Sequence, residues 1–378
     1  MPVLPGPAGP RGPRLPARQR VPPLIGGGGT PAGPRSGVPR DGDALADLLS
    51  RGDLEVVGRI SGSSNVTLLA TCRDGGTAVR CVYKPVRGER PLHDFPDGTL
   101  AGREVAASLV SRAGGWGVVP TTVLRDGPLG PGSVQRWVHP PRDAPLDEEA
   151  AEDGVVDPYG AVDPDDGDPD AEGAEGLDPL DDDAGPDEAD ESDEDLDDEH
   201  LLGEPGAGLV DVVPQGEVPA GWRGVLEAWG PYGEPVTLVH ADDPRLLSVA
   251  VFDVVANNAD RKAGHLLLGR PAAADPASAA ARADGPPVHG IDHGLVLHAE
   301  GKLRTVLWGW AGEPLPDVEL EALDRLRAAL RDGLEDELQA LLTGWEVRAL
   351  RTRVDRLLRG AVMPQPPEHR SAVPWPVF

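Results

Sequence analysis

The chain has 378 residues and a formal net charge of −29 at pH 7. The excess is local, because 27 of the 64 acidic residues and no Lys or Arg lie between Asp147 and Glu199, which leaves 37 acidic against 35 basic residues elsewhere. Such a run repels nucleic acid and anionic membranes and has too few apolar side chains to fold. We therefore expect no nucleic-acid partner, and no apolar run approaches the length that stable membrane insertion needs.

The N-terminal segment is predicted to be disordered from its composition. Residues 1–42 are rich in Pro, Gly and Arg, lack the apolar core of a signal peptide, and are predicted to be a disordered leader.

Only two cysteines occur, Cys72 and Cys81, on either side of a predicted turn. In the expected hairpin they lie opposite Thr77 and Leu68, too far apart to bridge. These features predict a reduced, cytoplasmic chain.

The next hundred residues are predicted to be rich in strands. A short helix over Asp43–Leu49 comes first, and a helix over Leu100–Ala113 is ended by two glycines. Runs of β-branched and aromatic residues bounded by turn residues predict five strands, at Leu54–Ile60, Val66–Cys72, Thr77–Lys84, Val118–Leu124 and Ser133–Val138.

The C-terminal half is predicted to be mainly helical. Order is expected to resume at Gly221–Trp229 and to continue in an apolar stretch at Leu246–Ala256. A mobile excursion is expected at Ala272–Pro287, followed by two short strands around a turn in Val288–Leu297. Leucines at helical spacing from 320 to 357 are expected to form a core. The predicted organisation is a leader (1–42), an N-lobe (43–140), a disordered acidic insert (141–205), a C-lobe (206–365) and a tail (366–378).

Lysine is rare in this chain, with three lysines against thirty-two arginines. One of them, Lys84, ends the third predicted strand. A lysine ammonium is a point charge that suits a phosphate oxygen and one carboxylate at once. Glu104 on the following helix is the candidate carboxylate, and its neighbour Arg103 is then expected to be exposed.

The loop between the first two strands consists of small residues. Ser61, Gly62 and Ser63 offer backbone N–H groups and hydroxyls with little bulk, as a cover over phosphates requires. The loop lacks the G-x-G-x-x-G spacing, so a plain hairpin turn is the alternative.

Two further segments carry aspartates with informative neighbours. Val254–Leu268 reads VVANNADRKAGHLLL, and Ile291–Gly294 reads IDHG. These segments resemble the phosphatidylinositol 3-/4-kinase-like branch of the protein-kinase superfamily and its bacterial relatives, including the HipA-type kinases. The pattern of that family is D-R-x-x-x-N after an apolar helix, followed by I-D-x-G, and this chain has D-R-K-A-G-H at 260–265 and I-D-H-G at 291–294. The resemblance covers roughly residues 54–140 and 220–312.

The resemblance implies a bilobal α+β fold of the protein-kinase-like type, with a β-rich N-lobe and a mainly helical C-lobe. It implies that Asp260 orients or deprotonates the acceptor hydroxyl and that Asp292 binds the metal. Lys84 then holds the α- and β-phosphates of ATP and is itself held by Glu104. The adenine is expected between Val66 and Val82, with its edge near Arg136 and Val138.

His265 stands where the resembled family has a metal-binding Asn. Imidazole is a poorer ligand for Mg²⁺ than an oxygen donor and suits Mn²⁺ better, so the cofactors expected are ATP with Mg²⁺ or Mn²⁺. Protonation below about pH 6 is expected to compete with the metal. A zinc site at His265, His289, His293 and His298 is disfavoured, because the region has strand and turn character and no nearby cysteine.

The function predicted is an ATP-dependent phosphotransferase, with a protein or small molecule favoured over a lipid as acceptor. The alternative is a nucleotide-binding pseudokinase that acts as an interaction scaffold, which the histidine at position 265 keeps open. A third possibility is nucleotidyl transfer with ATP bound in the reverse direction.

Overall fold

The computed structural model describes residues 41–60, 63–139, 208–269 and 286–378. Almost all of the predicted leader, the whole acidic insert and most of the excursion at Ala272–Pro287 lie outside these ranges, as do Ser61 and Gly62 of the predicted phosphate cover. Within the described part, no helix is both long and apolar enough to span a bilayer.

The N-terminal part is a five-stranded antiparallel sheet with two helices. The elements are α1 (Asp41–Arg51), β1 (Asp53–Arg59), β2 (Leu68–Asp74), β3 (Thr77–Pro85), α2 (Leu100–Gly114), β4 (Thr122–Gly127) and β5 (Gly130–Arg136). The strand order is β1-β2-β3-β5-β4, so β3 is the central strand. The prediction of five strands and two helices is therefore confirmed, with bounds shifted by a few residues.

The hairpin between β2 and β3 has a tighter turn than expected. Asp74 pairs directly with Thr77, and both intervening glycines have positive φ. Such a two-residue turn requires left-handed backbone, which glycine adopts without strain. The predicted register was wrong by two residues, since Cys72 lies opposite Val79 and Cys81 opposite Ala70. Both cysteines are buried and free.

The C-terminal part contains more strand than the sequence predicted. Its elements are β6 (Val210–Pro214), β7 (Trp222–Trp229), β8 (Pro235–Ala241), α3 (Pro244–Ala256), β9 (Leu266–Leu268), β10 (Val288–Gly290), α4 (Asp317–Arg331), α5 (Leu334–Gln339) and α6 (Gly344–Gly360). A three-stranded antiparallel sheet of order β6-β8-β7 precedes α3. None of these three strands was predicted, since Gly221–Trp229 was expected only to be ordered.

Only the first of the two strands expected in Val288–Leu297 forms. Val288–Gly290 pairs with Leu266–Leu268. The chain then turns, because Asp292 and Leu297 both adopt left-handed backbone conformations that a strand cannot contain. The second predicted strand is therefore a turn.

Helix α3 forms the centre of the larger hydrophobic core. Ten of its residues are buried, so the helix is enclosed on all sides, as its continuous apolar sequence requires. The leucine stripes of α4 and α6 pack in the same core, which confirms their prediction as packing faces. Asn257, with φ of 54°, ends α3 and reverses the chain into the loop 257–265. The observed fold class is the predicted one, α+β, with a sheet-rich N-terminal part and a mainly helical C-terminal part.

Candidate active site

A cavity of ≈ 410 Å³ lies between the N-terminal sheet and the loops that follow α3 and β10. Every predicted site residue that the structure describes lines it: Ser63, Val66, Val82, Lys84, Glu104, Arg136, Val138, Asp260, His265 and Asp292. Its lining includes apolar side chains such as Val82 of the sheet, together with ionisable groups such as Lys84, Asp260 and Asp292. The structure thus brings together residues that are more than two hundred positions apart in the chain.

Lys84 is held by two carboxylates. Its Nζ lies 2.6 Å from Oε1 of Glu104 and 2.9 Å from Oδ1 of Asp292. Burial lowers the pKa of Lys84, but the negative charges of Asp292 and Glu104 outweigh burial and raise this pKa above its ordinary value. The ammonium is therefore charged at neutral pH and ties β3 to α2 and to the turn after β10.

Glu104 is positioned by α2 with its carboxylate away from solvent. Its side chain is 3% exposed, and Oε2 is buried without a hydrogen-bond partner in the described part of the chain. Burial raises the pKa of Glu104, and the charge of Lys84 opposes this rise. A buried carboxylate with one unsatisfied oxygen is costly, which makes the contact with Lys84 essential to its ionised form.

Asp292 occupies a strained backbone position at the edge of the cavity. Its φ is 56°, which a non-glycine residue adopts only at a cost that surrounding structure must offset. The side chain is 48% exposed. The Lys84 ammonium holds the pKa of Asp292 well below its ordinary value, so this carboxylate is ionised.

Asp260 lies in the loop after α3 and is anchored through its backbone. Its N–H donates to Oδ1 of Asn258 over 3.0 Å, and the Asn258 amide donates in turn to the buried Asp253. The Lys262 ammonium lies 3.6 Å from Oδ2 of Asp260. Burial raises the pKa of Asp260, with Lys262 opposing the rise, and a carboxylate with a raised pKa is a better proton acceptor.

Arg261 connects the segment that carries Asp260 to the turn that carries Asp292 through buried hydrogen bonds. It is fully buried and donates to both oxygens of Asp253, to the carbonyl of Ile291 over 3.0 Å and to Nε2 of His293 over 2.6 Å. His293 therefore accepts at Nε2 and is neutral, and burial lowers its pKa well below the ordinary value. The guanidinium fixes the position of the Asp260 loop relative to the turn that carries Asp292.

His265 faces Asp292 through its Nε2 atom. Nδ1 lies 2.9 Å from the carbonyl of Asp260, which can only accept, so Nδ1 carries the proton. Nε2 is then a lone pair, and it lies 3.5 Å from Oδ2 of Asp292. Burial lowers the pKa of His265 to about 4. The onset of protonation expected near pH 6 is therefore wrong, since an imidazole shielded from water resists charging.

The His265 and Asp292 donors fit a shared divalent cation. Two electron-rich atoms facing each other repel unless a cation lies between them, and protein ligands contact Mg²⁺ or Mn²⁺ at about 2.1 Å. Within the described residues, no group of three or more His, Cys, Asp or Glu side chains converges as a metal site. His265 and Asp292 are therefore the two described side chains here that could hold a divalent cation together.

Arg103 is buried, contrary to the prediction of an exposed side chain. It is 1% exposed, and it donates to Oε1 of Glu346 over 2.6 Å and to the carbonyl of Val296 over 2.8 Å. The reason is that α2 is covered on both sides, with Glu104 facing the cavity and Arg103 facing α6. Arg103 consequently fixes α2 against the C-terminal helices.

Glu89 is a cavity residue that the sequence did not reveal. Its two carboxylate oxygens accept hydrogen bonds from the backbone N–H groups of Ala101 (2.8 Å) and Leu100 (3.2 Å), in the first turn of α2. The familiar capping signature spans three residues, whereas Glu89 precedes this turn by eleven or more. Only the folded chain brings this carboxylate to the helix end.

The fold thus brings a Lys–Glu pair and two aspartates together where a sheet-rich part and a mainly helical part meet. The chain belongs to the same family as Protein Rv2133c of Mycobacterium tuberculosis. The two are 43% identical over 331 residues, which cover 88% of this chain and 94% of that protein.

Two other comparisons add little. No family model matches the chain. The crystal structure of the Golgi casein kinase is similar with a TM-score of 0.41 and 11% identity, over 84% of this chain and 75% of that one. A likeness this distant supports no conclusion about activity.

Proposed function

We propose that this protein is an ATP-dependent phosphotransferase that acts on a hydroxyl group of a protein or small molecule. The observation that supports this most strongly is the Lys84 ammonium, bound by Glu104 from one side and by Asp292 from the other, in a cavity that also contains Asp260. A charged lysine held in this way stabilises phosphate oxygens without rearranging when they arrive.

The walls of the cavity suit the other parts of the nucleotide. Val66 and Val82 offer apolar surfaces for the adenine ring, and Arg136 and Val138 also line the cavity. Ser63 belongs to the loop between β1 and β2, where small side chains leave room for phosphates. Lys84 and Asp292 then receive the triphosphate.

In the transfer step, Asp260 orients the acceptor hydroxyl and takes its proton. A new bond forms between the hydroxyl oxygen and the γ-phosphorus, while the bond between that phosphorus and the β–γ bridging oxygen breaks and leaves ADP. Lys84 stabilises the negative charge on the phosphates, and burial at Asp260 raises its proton affinity for this role.

A divalent cation bound to Asp292 and His265 would neutralise the phosphate oxygens. The nitrogen donor at His265 favours Mn²⁺ relative to Mg²⁺. It also supports a second candidate, a pseudokinase that binds nucleotide and transfers nothing, because an imidazole in place of an oxygen donor weakens Mg²⁺ binding.

Labelled ATP separates the candidates. Purified protein is incubated with ATP labelled at the γ- or the α-phosphate, with Mg²⁺ or Mn²⁺, and release or transfer of label is compared with nucleotide affinity. Turnover of the γ-label supports the phosphotransferase. Nucleotide binding without turnover under both metals supports the pseudokinase, and transfer of the α-label supports nucleotidyl transfer.

A further inference from the structure

The strand β5 places a buried amide beside the cavity. Gln135 lies directly opposite Val82 of β3, and Ser133 lies directly opposite Lys84. Residues two apart in a strand, and residues paired directly across an antiparallel sheet, share one face. Because Lys84 reaches the cavity from this face, Gln135 does too, and its side chain lines the cavity. Gln135 is 5% exposed, so its amide is shielded from bulk water.

The hydrogen bonds around Thr122 fix the orientation of this amide. Thr122 pairs with Gln135 across β4 and β5, and its hydroxyl lies 2.8 Å from the carbonyl of Pro120 and 2.9 Å from Nε2 of Gln135. A carbonyl can only accept, so the single hydroxyl proton of Thr122 is donated to Pro120. The hydroxyl therefore accepts from Gln135, and the amide directs its NH₂ group toward Thr122.

The other polar atom of the Gln135 side chain is the carbonyl oxygen Oε1. No described residue donates a hydrogen bond to this oxygen. A buried acceptor without a partner costs free energy, and a ligand that brings an N–H group into the cavity removes that cost. Turning the amide over is unfavourable, because Oε1 would then face the Thr122 hydroxyl, whose proton is already donated to Pro120.

Gln135 is close to the expected position of the base. It precedes Arg136 in the chain and lies opposite Val82 in the sheet, and both of these residues line the cavity where the base is expected. The 6-substituent of a purine projects from the edge that faces Arg136 in this arrangement. In adenine this substituent is an amino group, which donates, whereas in guanine it is a carbonyl oxygen, which only accepts. Oε1 thus matches adenine and opposes guanine.

We propose that Gln135 determines the base specificity of the nucleotide site, by accepting a hydrogen bond at Oε1 from the 6-amino group of adenine and disfavouring the 6-oxo group of guanine. This inference rests on the proposed function, since it requires a purine nucleoside triphosphate in the cavity. Thr122 is a positioning residue, which holds the amide in the orientation that distinguishes the bases. Guanine would leave two acceptors facing each other without a proton between them, and such a mismatch discriminates against the wrong ligand.

Nucleotide binding to the full-length protein tests the proposal. Non-hydrolysable analogues of ATP and GTP are titrated separately by calorimetry in the presence of Mn²⁺. We expect wild type to bind the ATP analogue at least about tenfold more tightly than the GTP analogue. Gln135→Met keeps an unbranched side chain of similar size and loses the acceptor, so the preference should shrink mainly through weaker binding of the ATP analogue. Thr122→Val frees the amide to turn over, so the preference should shrink mainly through tighter binding of the GTP analogue.

Ser133→Ala is the matched control. The Ser133 hydroxyl is buried on the same face of β5 and has no hydrogen-bond partner among the described residues. This variant should keep the wild-type preference, and a loss of preference in it overturns the proposal in favour of Ser133. Equal affinities of wild type for the two analogues, or a preference that Gln135→Met and Thr122→Val both leave unchanged, overturns it as well. Circular dichroism confirms that each variant is folded, and if Gln135→Met is not, wild type and Thr122→Val decide.

The proposed function fails by different outcomes. Selective binding of the ATP analogue, without turnover of γ-labelled ATP, supports the role of Gln135 and overturns the phosphotransferase. Turnover with equal affinities for the two analogues overturns the role of Gln135 and supports the phosphotransferase. A wild type that binds neither analogue overturns both.

Discussion

Lys84 and Asp292, which are 208 residues apart in the chain, are joined by a hydrogen bond of 2.9 Å. This contact connects the central strand of the N-terminal sheet to the turn after β10. Because Glu104 holds the same ammonium, the two halves of the cavity share one cation. The relative position of Glu104 and Asp292 therefore depends on Lys84.

Replacing Lys84 by Met should lower nucleotide affinity or turnover by at least about a hundredfold, since it removes the phosphate-binding charge. Lys84→Arg should also impair the site, because a planar guanidinium cannot occupy the point between Glu104 and Asp292. Nucleotide affinity and turnover are measured beside circular dichroism. Wild-type turnover in a folded Arg variant would show that Lys84 has no such role.

Glu89 is expected to act as a positioning residue through α2. Glu89→Ala removes both acceptors at the first turn and should destabilise the protein by about 1–2 kcal/mol, while Glu89→Gln keeps an oxygen and restores part of the loss. Thermal unfolding measures stability, and the kcat and KM for ATP show whether Glu104 has moved. The matched control is Glu321→Ala, on the exposed face of α4. A turnover unchanged in a destabilised Glu89→Ala variant would limit Glu89 to a structural role.

Metal preference should change with the side chain at position 265. His265→Asn supplies an oxygen donor and should raise Mg²⁺-supported turnover relative to Mn²⁺. Because Nε2 faces Asp292, Mn²⁺ affinity, measured by electron paramagnetic resonance in the presence of an ATP analogue, should fall in the same variant. If both metals bind and act equally in wild type and variant, His265 is not a ligand.

The buried histidines predict that stability falls as the pH is lowered. Burial lowers the pKa of His240, His265 and His289 to about 4 each, below the unfolded value of about 6.5. The unfolded chain therefore binds more protons between these values, and the free energy of unfolding decreases as the pH drops from about 6.5 to 4.

Urea unfolding at several pH values measures this dependence. Each such histidine contributes a slope of up to about 1.4 kcal/mol per pH unit within the window. Replacing the exposed His93 by Gln should leave the curve unchanged, whereas His240→Gln should flatten it. A free energy of unfolding that is independent of pH from 4 to 6.5 would contradict the burial of these imidazoles.

The sequence predicted those parts of the site that can be recognised from short motifs and from their order along the chain. The Lys84 strand, the Glu104 helix and the two aspartate motifs follow one another in the chain, and each is recognisable from its immediate neighbours. The pairing of β6 with β8 and the cap that Glu89 provides arise from contacts between segments that are not adjacent in the chain. Such contacts depend on packing, which local propensity does not report.

Arg103 shows the same limit within a single helix. Helical spacing predicts that it points away from Glu104, and it does so, but the opposite side of α2 is covered by α6 and not by water. Periodicity gives the direction of a side chain, while exposure depends on what the rest of the chain places there.

Transfer of the γ-phosphate is the property to measure first. Wild type, Asp260→Asn and Asp292→Asn are incubated with γ-labelled ATP and Mn²⁺, with Asp97→Asn as an exposed control, and nucleotide affinity is determined for each. We predict turnover in wild type and control, a loss of at least about a hundredfold in Asp260→Asn with nucleotide affinity nearly unchanged, and loss of both metal binding and turnover in Asp292→Asn. Equal turnover in wild type and Asp260→Asn, or nucleotide binding with no turnover in wild type, would contradict the assignment of a phosphotransferase.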